Sequence, residues 1–178
     1  ETNAWISDGS DTKRVDENGC LVSSAWVHDG NGWRYLDANG ILLKNAWQND
    51  SKGWCYVGSD GYMYANRWHF DSVGLCFIGP EGYCLTNSWK QHAKGWVYFN
   101  ANGSQTKNAW VMRGSDWIYL DSDGFPMKSQ WMLDSKGWCY LDEDGVMATE
   151  AWVPDSVGLV YVGADGYMVR NRWVMRGS

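Results

Sequence analysis

No apolar run in this chain approaches the ~20 residues a membrane-spanning helix needs, which argues against insertion into a bilayer. Basic residues are also short. Fifteen Lys and Arg stand against 21 Asp and Glu, for a formal net charge of −6. A phosphate-binding surface must be basic, so nucleic acid is excluded as a partner. The acidic excess suits a cationic ligand and is equally an ordinary solubility charge. Cysteine appears five times, an odd number, with no C-x-x-C pair. The spacing therefore describes neither a disulfide framework nor a metal site, and at least one thiol is expected to be unpaired or to pair with another molecule. Helical periodicity longer than a turn is missing. The polar stretch from Glu1 shows no leader pattern, and a processed or truncated start is expected.

What the chain has in excess is aromatic residues and glycine. Aromatics make up 16% of 178 residues, with 14 Trp, and Gly reaches 21 against 3 Pro. The tryptophans are ordered. Trp5, Trp26, Trp47, Trp68, Trp89, Trp110, Trp131, Trp152 and Trp173 follow one another at 21-residue steps without an insertion. Gly19, Gly40, Gly61 and their successors to Gly166 keep that step, as do Tyr35, Tyr56, Phe77 and their successors to Tyr161. A fixed period of this length marks a repeat architecture. Residues 1–178 are read as a single repeat domain. Eight full units run from 5 to 172, a ninth begins at Trp173, and residues 1–25 form a degraded capping unit in which Thr12 and Arg14 replace the strand aromatics.

One unit divides into a linker (26–31), the segment Gly32-Trp33-Arg34-Tyr35-Leu36, the turn Asp37-Ala38-Asn39-Gly40, and Ile41-Leu42-Leu43. Asn-Gly and Asp-Gly tolerate the positive φ of tight hairpin turns. The flanking segments are rich in β-branched and aromatic residues. Each unit is therefore expected to be one short hairpin, with 32–36 and 41–43 as its strands. A lone two-stranded hairpin is marginal in water and must stack on its neighbours. The predicted fold is all-β, a solenoid of stacked two-stranded β-hairpins. Alternation sends Leu36, Val57, Ile78, Phe99, Leu120, Leu141 and Val162 toward its axis. Cys55, Cys76, Val97, Ile118, Cys139 and Val160 point the same way as small buried hydrophobes. Trp33, Tyr35 and their equivalents take the other face.

Two readings compete for the aromatic face. The rings are either plates that glue hairpin to hairpin, or walls of open cages that attract quaternary ammonium groups by cation–π forces or stack on sugars. The Trp column that keeps the repeat step is assigned mainly to packing. The second column varies, running Trp33, Trp54, Leu75, Trp96, Trp117, Trp138, Leu159. Both Leu units carry the run Asp-Ser-Val-Gly-Leu and lie four units apart. If the column is a ligand wall, their grooves should be weakened.

The pattern Gly-Trp-x-Tyr followed by x-x-Asp-Gly-x-Met, with a further Trp before the next unit, resembles the choline-binding or cell-wall-binding repeats of Gram-positive surface proteins. The stretches Asn45-Ala46-Trp47-Gln48-Asn49-Asp50-Ser51-Lys52-Gly53-Trp54-Cys55-Tyr56 and Trp89-Lys90-Gln91-His92-Ala93-Lys94-Gly95-Trp96-Val97-Tyr98-Phe99 carry it. The resemblance covers nearly the whole chain and extends, more distantly, to glucan-binding and clostridial toxin repeats. The middle strand residue departs from the family's second aromatic, being Arg34, Cys55, Val97, Ile118 or Cys139.

The family implies a site between consecutive units, with two aromatics from one and a third from the next. By motif the ligand-binding grooves would be Trp26, Trp33 and Tyr56; Trp47, Trp54 and Phe77; Trp89, Trp96 and Tyr119; Trp110, Trp117 and Tyr140; and Trp131, Trp138 and Tyr161. Met63, Met147 and Met168 would floor some of them. The resemblance further implies a secreted or cell-wall-associated, non-catalytic module without cofactor, whose partner is choline or a teichoic- or lipoteichoic-acid-like wall polymer. Glucan or another carbohydrate held by stacking, and a structural spacer or adhesin with purely structural aromatics, remain the alternatives. The Asp-x-Asp-Gly turns at Asp121–Gly124 and Asp142–Gly145 are read as turn chemistry rather than Ca²⁺ loops, which need further ligands. His28, His69 and His92 occupy three different repeat positions and define no common site. Lys52, Lys94 and Lys136 are expected to be solvated.

Overall fold

Extended segments of aromatic and β-branched residues alternate with two tight reversals in every repeat, and this rhythm sets the whole architecture. In a computed structural model, which describes residues 2–156 and 158–170, the described residues form eight antiparallel two-stranded hairpins. The hairpins group into two compact units, Glu1–Thr86 with Ala101–Ser104, and Asn87–Asn100 with Gln105–Ser178. The first unit holds β1 (Trp5–Asp8) with β2 (Asp11–Arg14), β3 (Ala25–His28) with β4 (Trp33–Leu36), β5 (Ala46–Asp50) with β6 (Gly53–Val57), and β7 (Arg67–Asp71) with β8 (Gly74–Ile78). The second holds β9 (Ser88–His92) with β10 (Gly95–Phe99), β11 (Ala109–Arg113) with β12 (Asp116–Leu120), β13 (Gln130–Leu133) with β14 (Trp138–Leu141), and β15 (Ala151–Asp155) with β16 (Gly158–Val162). Each is an all-β stack of hairpins, as the repeat pattern requires. The proposed ninth repeat at Trp173 lies outside the described residues.

The hairpin itself sits elsewhere in the repeat than expected. Its first strand is the segment read as a linker: Trp47 pairs with Tyr56 and Asn49 with Trp54, across a reversal at Ser51-Lys52. The Asp50 side chain builds that reversal, its Oδ1 accepting the Lys52 N–H at 2.8 Å. This is an Asx turn, which needs no Asn-Gly pair. The Asp-x-Asx-Gly signal is nonetheless a real second turn. Asp142 Oδ1 accepts the N–H groups of Asp144 (2.9 Å) and Val146 (2.8 Å), and its carbonyl accepts that of Gly145 (3.0 Å). These bonds occupy the carboxylate in the turn, as expected for this motif. The segment after the turn makes only isolated bridges. One goes back to its own hairpin (Val57 to Met63) and one to the preceding hairpin (Cys55 to Tyr83). Sequence alternation alone could not separate two short apolar segments on either side of the same strand.

A third feature closes the repeat. Ser24, Asn45, Asn66, Asn87, Asn108, Ser129 and Glu150 all adopt φ between 45 and 50°. The left-handed conformation suits Asn best among non-glycine residues, and it swings the chain into the next hairpin. There the backbone N–H of Asn108 donates to the Asp121 carbonyl at 2.9 Å. Glycine is indispensable in the second turn: Gly61 has φ +81°, and a Cβ there would stand 2.8 Å from Leu42 Cδ2.

Stacking joins successive hairpins through the backbone. The Met63 N–H donates to the Trp33 carbonyl and the Cys84 N–H to that of Trp54, each at 2.8 Å; Met147 repeats this to Trp117. The inward columns follow the predicted alternation. Leu36, Val57, Ile78, Phe99, Leu120, Leu141 and Val162 are fully buried, as are Cys55, Val97, Ile118 and Cys139. A buried aliphatic side chain contributes roughly 1.5–3 kcal/mol, and this thin column supplies the driving force for stacking. Replacing Leu120 with Ala should therefore cost about 2–5 kcal/mol in urea unfolding. Ala at Met112, a half-exposed residue of the same hairpin, should cost less than about 0.5 kcal/mol. Equal effects would contradict the inward assignment.

Candidate functional site

With one strand face committed to the core, the opposite face must carry the aromatics. Antiparallel register places Trp47 directly across from Tyr56, and their ring centroids lie 5.2 Å apart. Other hairpins repeat the contact: Trp68 with Phe77 (5.1 Å), Trp110 with Tyr119 (5.3 Å), Trp131 with Tyr140 (5.4 Å) and Trp152 with Tyr161 (5.3 Å). The residues expected as third walls of neighbouring grooves thus stack on the first Trp of their own hairpin. Cross-strand pairing, invisible while the first strand was taken for a linker, dictates this.

The second Trp column stands outward. Trp33, Trp54, Trp96, Trp117 and Trp138 are 37–50% exposed, which packing alone does not explain. Trp54 meets Trp47 at 6.4 Å and 86°, and Trp117 meets Trp110 at 6.5 Å and 86°. Two indoles at right angles form an open corner.

Two depressions in the first unit are each lined by a first-column and a second-column Trp. The one at Trp47 and Trp54 has a volume of about 240 Å³ and is walled by Leu75, Cys76, Cys84 and the backbone around Gly103. It is almost wholly apolar. The one at Trp26 and Trp33 has a volume of about 460 Å³ and is walled by Asp50, Lys52, Met63 and Tyr83. Met63 lines it as expected of the Gly-x-Met position. Tyr83, the residue after the second turn two repeats on, stands where Tyr56 was expected.

An acidic column underlies these corners, and the sequence reading missed it. The carboxylate that builds the hairpin turn with one oxygen receives the preceding repeat's indole with the other. Trp26 Nε1–H donates to Asp50 Oδ2 at 3.0 Å, Trp47 to Asp71 at 2.7 Å, and Trp110 to Asp134 at 3.2 Å. Tyr83 and Tyr167 hydroxyls donate to the same oxygens of Asp50 and Asp134, both at 2.9 Å. A Trp–Asp–Tyr clasp thus ties three consecutive repeats. Its signal in the sequence was an Asp shortly after the next column Trp, as Asp50 follows Trp47, and an aromatic directly after the turn Gly of the repeat beyond, as Tyr83 follows Gly82.

The electrostatics follow. Burial opposes ionisation of Asp50 and Asp134. The N–H bonds of the turn, the Tyr hydroxyl and the indole outweigh it and hold both carboxyls below the ordinary 3.8. Burial, then the hydrogen bond to the carboxylate, pushes Tyr83 and Tyr167 up to about 12, so each phenol keeps its proton and donates. The buried thiols are made inert: desolvation pushes Cys55 up to about 12 and Cys139 up to about 11. His69 is absorbed in packing, its ring 4.0 Å from Tyr56 and 5.3 Å from Trp47 with Nε2 3.2 Å from Asp71. Lys52, Lys94 and Lys136 are exposed, as expected.

Hairpins stacked at a 21-residue period, presenting outward indole corners, define a tandem-repeat β-hairpin module. A sequence profile of the cell wall binding repeat, the choline-binding type, matches residues 24–42. Solved structures from Streptococcus pneumoniae share the architecture. The modular autolysin LytC is 28% identical over 96% of this chain, with a TM-score of 0.72; the chain spans 39% of that protein's length. The choline-binding domain of CbpL is 29% identical over 97% of this chain and 100% of its own length, with a TM-score of 0.62. CbpJ is 27% identical over 95% of this chain and 58% of its own, with a TM-score of 0.60. No curated protein matches the chain in sequence. The chain thus resembles the choline-binding, or cell-wall-binding, repeats both in the matched segment and in the architecture of the solved domains.

The clasp makes stability pH-dependent in a defined direction. A carboxyl whose folded pKa is depressed contributes stability that is fully present above the ordinary value and is lost as pH falls through the folded one. Asp134→Asn should therefore be less stable than the parent at neutral pH. The difference in urea midpoint should shrink below about pH 4. A difference independent of pH would refute the ionised clasp.

Proposed function

We propose that this module holds the trimethylammonium groups of choline-bearing wall polymers in the outward indole corners, and so fixes the protein of which it is a part to the bacterial cell wall. One observation carries the reading: Trp47 and Trp54 stand perpendicular at 6.4 Å over an open, nearly all-apolar depression of about 240 Å³. A trimethylammonium group has a positive charge spread over an apolar surface. It suits two π faces that leave no site for a strong hydrogen bond, and each such contact is worth roughly 0.5–2 kcal/mol. The Trp110–Trp117 corner has the same geometry. The partial exposure of Trp33, Trp96 and Trp138 extends the reading to their repeats.

The relatives support the ligand class. CbpL contributes a structure of its choline-binding domain, and LytC has been solved with a synthetic peptidoglycan ligand. Several weak corners on one chain would act together on a polymer that presents many head groups, raising avidity well above any single contact. The module is taken to be non-catalytic. Its buried thiols are held protonated and its clasp carboxylates are engaged by turns and indoles.

Millimolar choline should quench tryptophan fluorescence and raise Tm. Binding to the native state alone adds about 2.7 kcal/mol at a hundredfold excess over Kd. Trp117→Leu should reduce the quench and leave the Tm of the free protein nearly unchanged, because the indole is half-exposed. Absence of any response to choline, with retention on a glucan matrix, would replace this reading with sugar stacking. Unfolding of Trp117→Leu would make the column structural.

A further inference from the structure

In the first repeat the cation position is already filled. Its column Trp is Trp5, the turn carboxylate of the next repeat is Asp29, and the aromatic after the second turn of the repeat beyond is Tyr62. These are the equivalents of Trp26, Asp50 and Tyr83. The Arg34 guanidinium lies over the Tyr62 ring at 4.0 Å and over the Trp5 ring at 5.0 Å, with Nε 2.8 Å from Asp29 Oδ2. Tyr62 donates to that oxygen at 3.0 Å, as Tyr83 does to Asp50. The intruding cation changes the clasp in one respect: the buried Trp5 Nε1 has no hydrogen-bond partner, whereas Trp26 reaches Asp50. At the strand position of Arg34 the first repeat carries Lys13, and the later repeats carry uncharged residues, among them Cys55 and Val97, both fully buried. Arg34 is therefore not required by the hairpin.

A second arginine does the same at another corner. Position 113 is where Asp50 and Asp134 stand in their repeats. Arg113 occupies it, and its guanidinium lies 5.6 Å from the Trp96 ring and 5.9 Å from the Trp89 ring. Trp89 Nε1–H donates to the Met112 carbonyl at 3.0 Å, as Trp131 does to that of Pro154 at 2.9 Å, where Asp155 stands in the aspartate column. Guanidinium over an indole face within ~6 Å is a favourable cation–π contact.

We infer that Arg34 and Arg113 are tethered cations that occupy the Trp5–Asp29–Tyr62 notch and the Trp89–Trp96 corner, withholding both from external ligands. The ligand class of the vacated notches is a small organic cation, guanidinium or quaternary ammonium. This rests on the reading that the aromatic corners accept cations, but it can be tested apart from choline. The first notch adds a full carboxylate, so once emptied it should prefer guanidinium, which forms directed N–H bonds, to choline, which has no such N–H.

The test uses the full chain and methylguanidinium as probe. In Arg34→Val, which places the Val97 side chain type at this position, millimolar methylguanidinium should raise Tm by a few degrees more than it raises that of the parent, whose other corners are open to it already. Adding Asp29→Asn should abolish the rescue. Arg113 is partly buried at the last position of its strand, outside the core, so Arg113→Ala is expected to fold whatever Arg34→Val does. It should gain one saturable site for methylguanidinium, seen as tryptophan quenching that Trp96→Leu removes. Equal responses of parent and both variants would overturn the inference, as would rescue that survives Asp29→Asn. A parent that ignores choline, with variants that still respond to methylguanidinium, would sink the proposed function and leave this one standing.

Discussion

A two-stranded ribbon has one buriable face and too little area to be stable by itself, and the rest of the structure follows from that constraint. Leu36, Val57 and their successors, with Cys55, Val97 and Ile118 beside them, commit one face of every hairpin to the stack. The segment after the second turn completes the contact by bridging its own hairpin and the one before, as Met63 and Tyr83 do. On the other face the first-column Trp110 and its partner Tyr119 pack against that core, and the second Trp column stands clear of it. That second column is free to stand outward, and the chain can vary it without unbuilding the repeat.

The turn aspartate couples the two faces. Its Oδ1 closes the hairpin locally, and its Oδ2 receives an indole from the repeat before and a phenol from the repeat after. One carboxylate thus serves a reversal, a neighbour contact and the charge of the notch. A charged acceptor strengthens each bond, and partial burial makes the loss of any partner costly. The position of the first-column indole is consequently fixed from beneath by the turn carboxylate.

Much of this was legible in the sequence, and the failures have identifiable causes. The period, the all-β class and the inward columns could be read from the register of Trp, Gly and Leu36-type positions, because burial on one face forces strict alternation. The outward second column was legible for the same reason. The hairpin was misplaced because Asp-Ala-Asn-Gly looks like a stronger turn than Asn49-Asp50-Ser51-Lys52, although side-chain capping makes the latter equally tight. That error carried into the site. With Trp47 taken for a linker residue, its pairing with Tyr56 could not be foreseen, and Tyr83 lines the Trp26–Trp33 depression for which Tyr56 was expected. The left-handed Asn45 column and the Asp50 column were visible as periodic residues. Their roles depend on φ and on contacts between repeats, which periodicity does not encode.

Variation within this frame falls on the positions that shape the notches. The Asp-Ser-Val-Gly-Leu run at 71–75 returns at 155–159, and the Trp26–Asp50–Tyr83 clasp returns as Trp110–Asp134–Tyr167, both four repeats on. Leu75 illustrates what such a change does. It was read as the loss of one wall from its own repeat's groove, but its side chain lines the depression of the preceding repeat, beside Trp47 and Trp54. A leucine there occupies less space than the indole it replaces. It keeps an apolar surface while leaving room in the neighbour's corner, so a substitution in one repeat sets the depression of another. Arg113 in the aspartate column has the opposite consequence for the corner before it, putting positive charge where Asp50, Asp71 and Asp134 stand in their repeats. Because each notch is assembled from two or three consecutive repeats, the identity of a single repeat does not define its walls, and the order of the repeats sets the shape and charge of each.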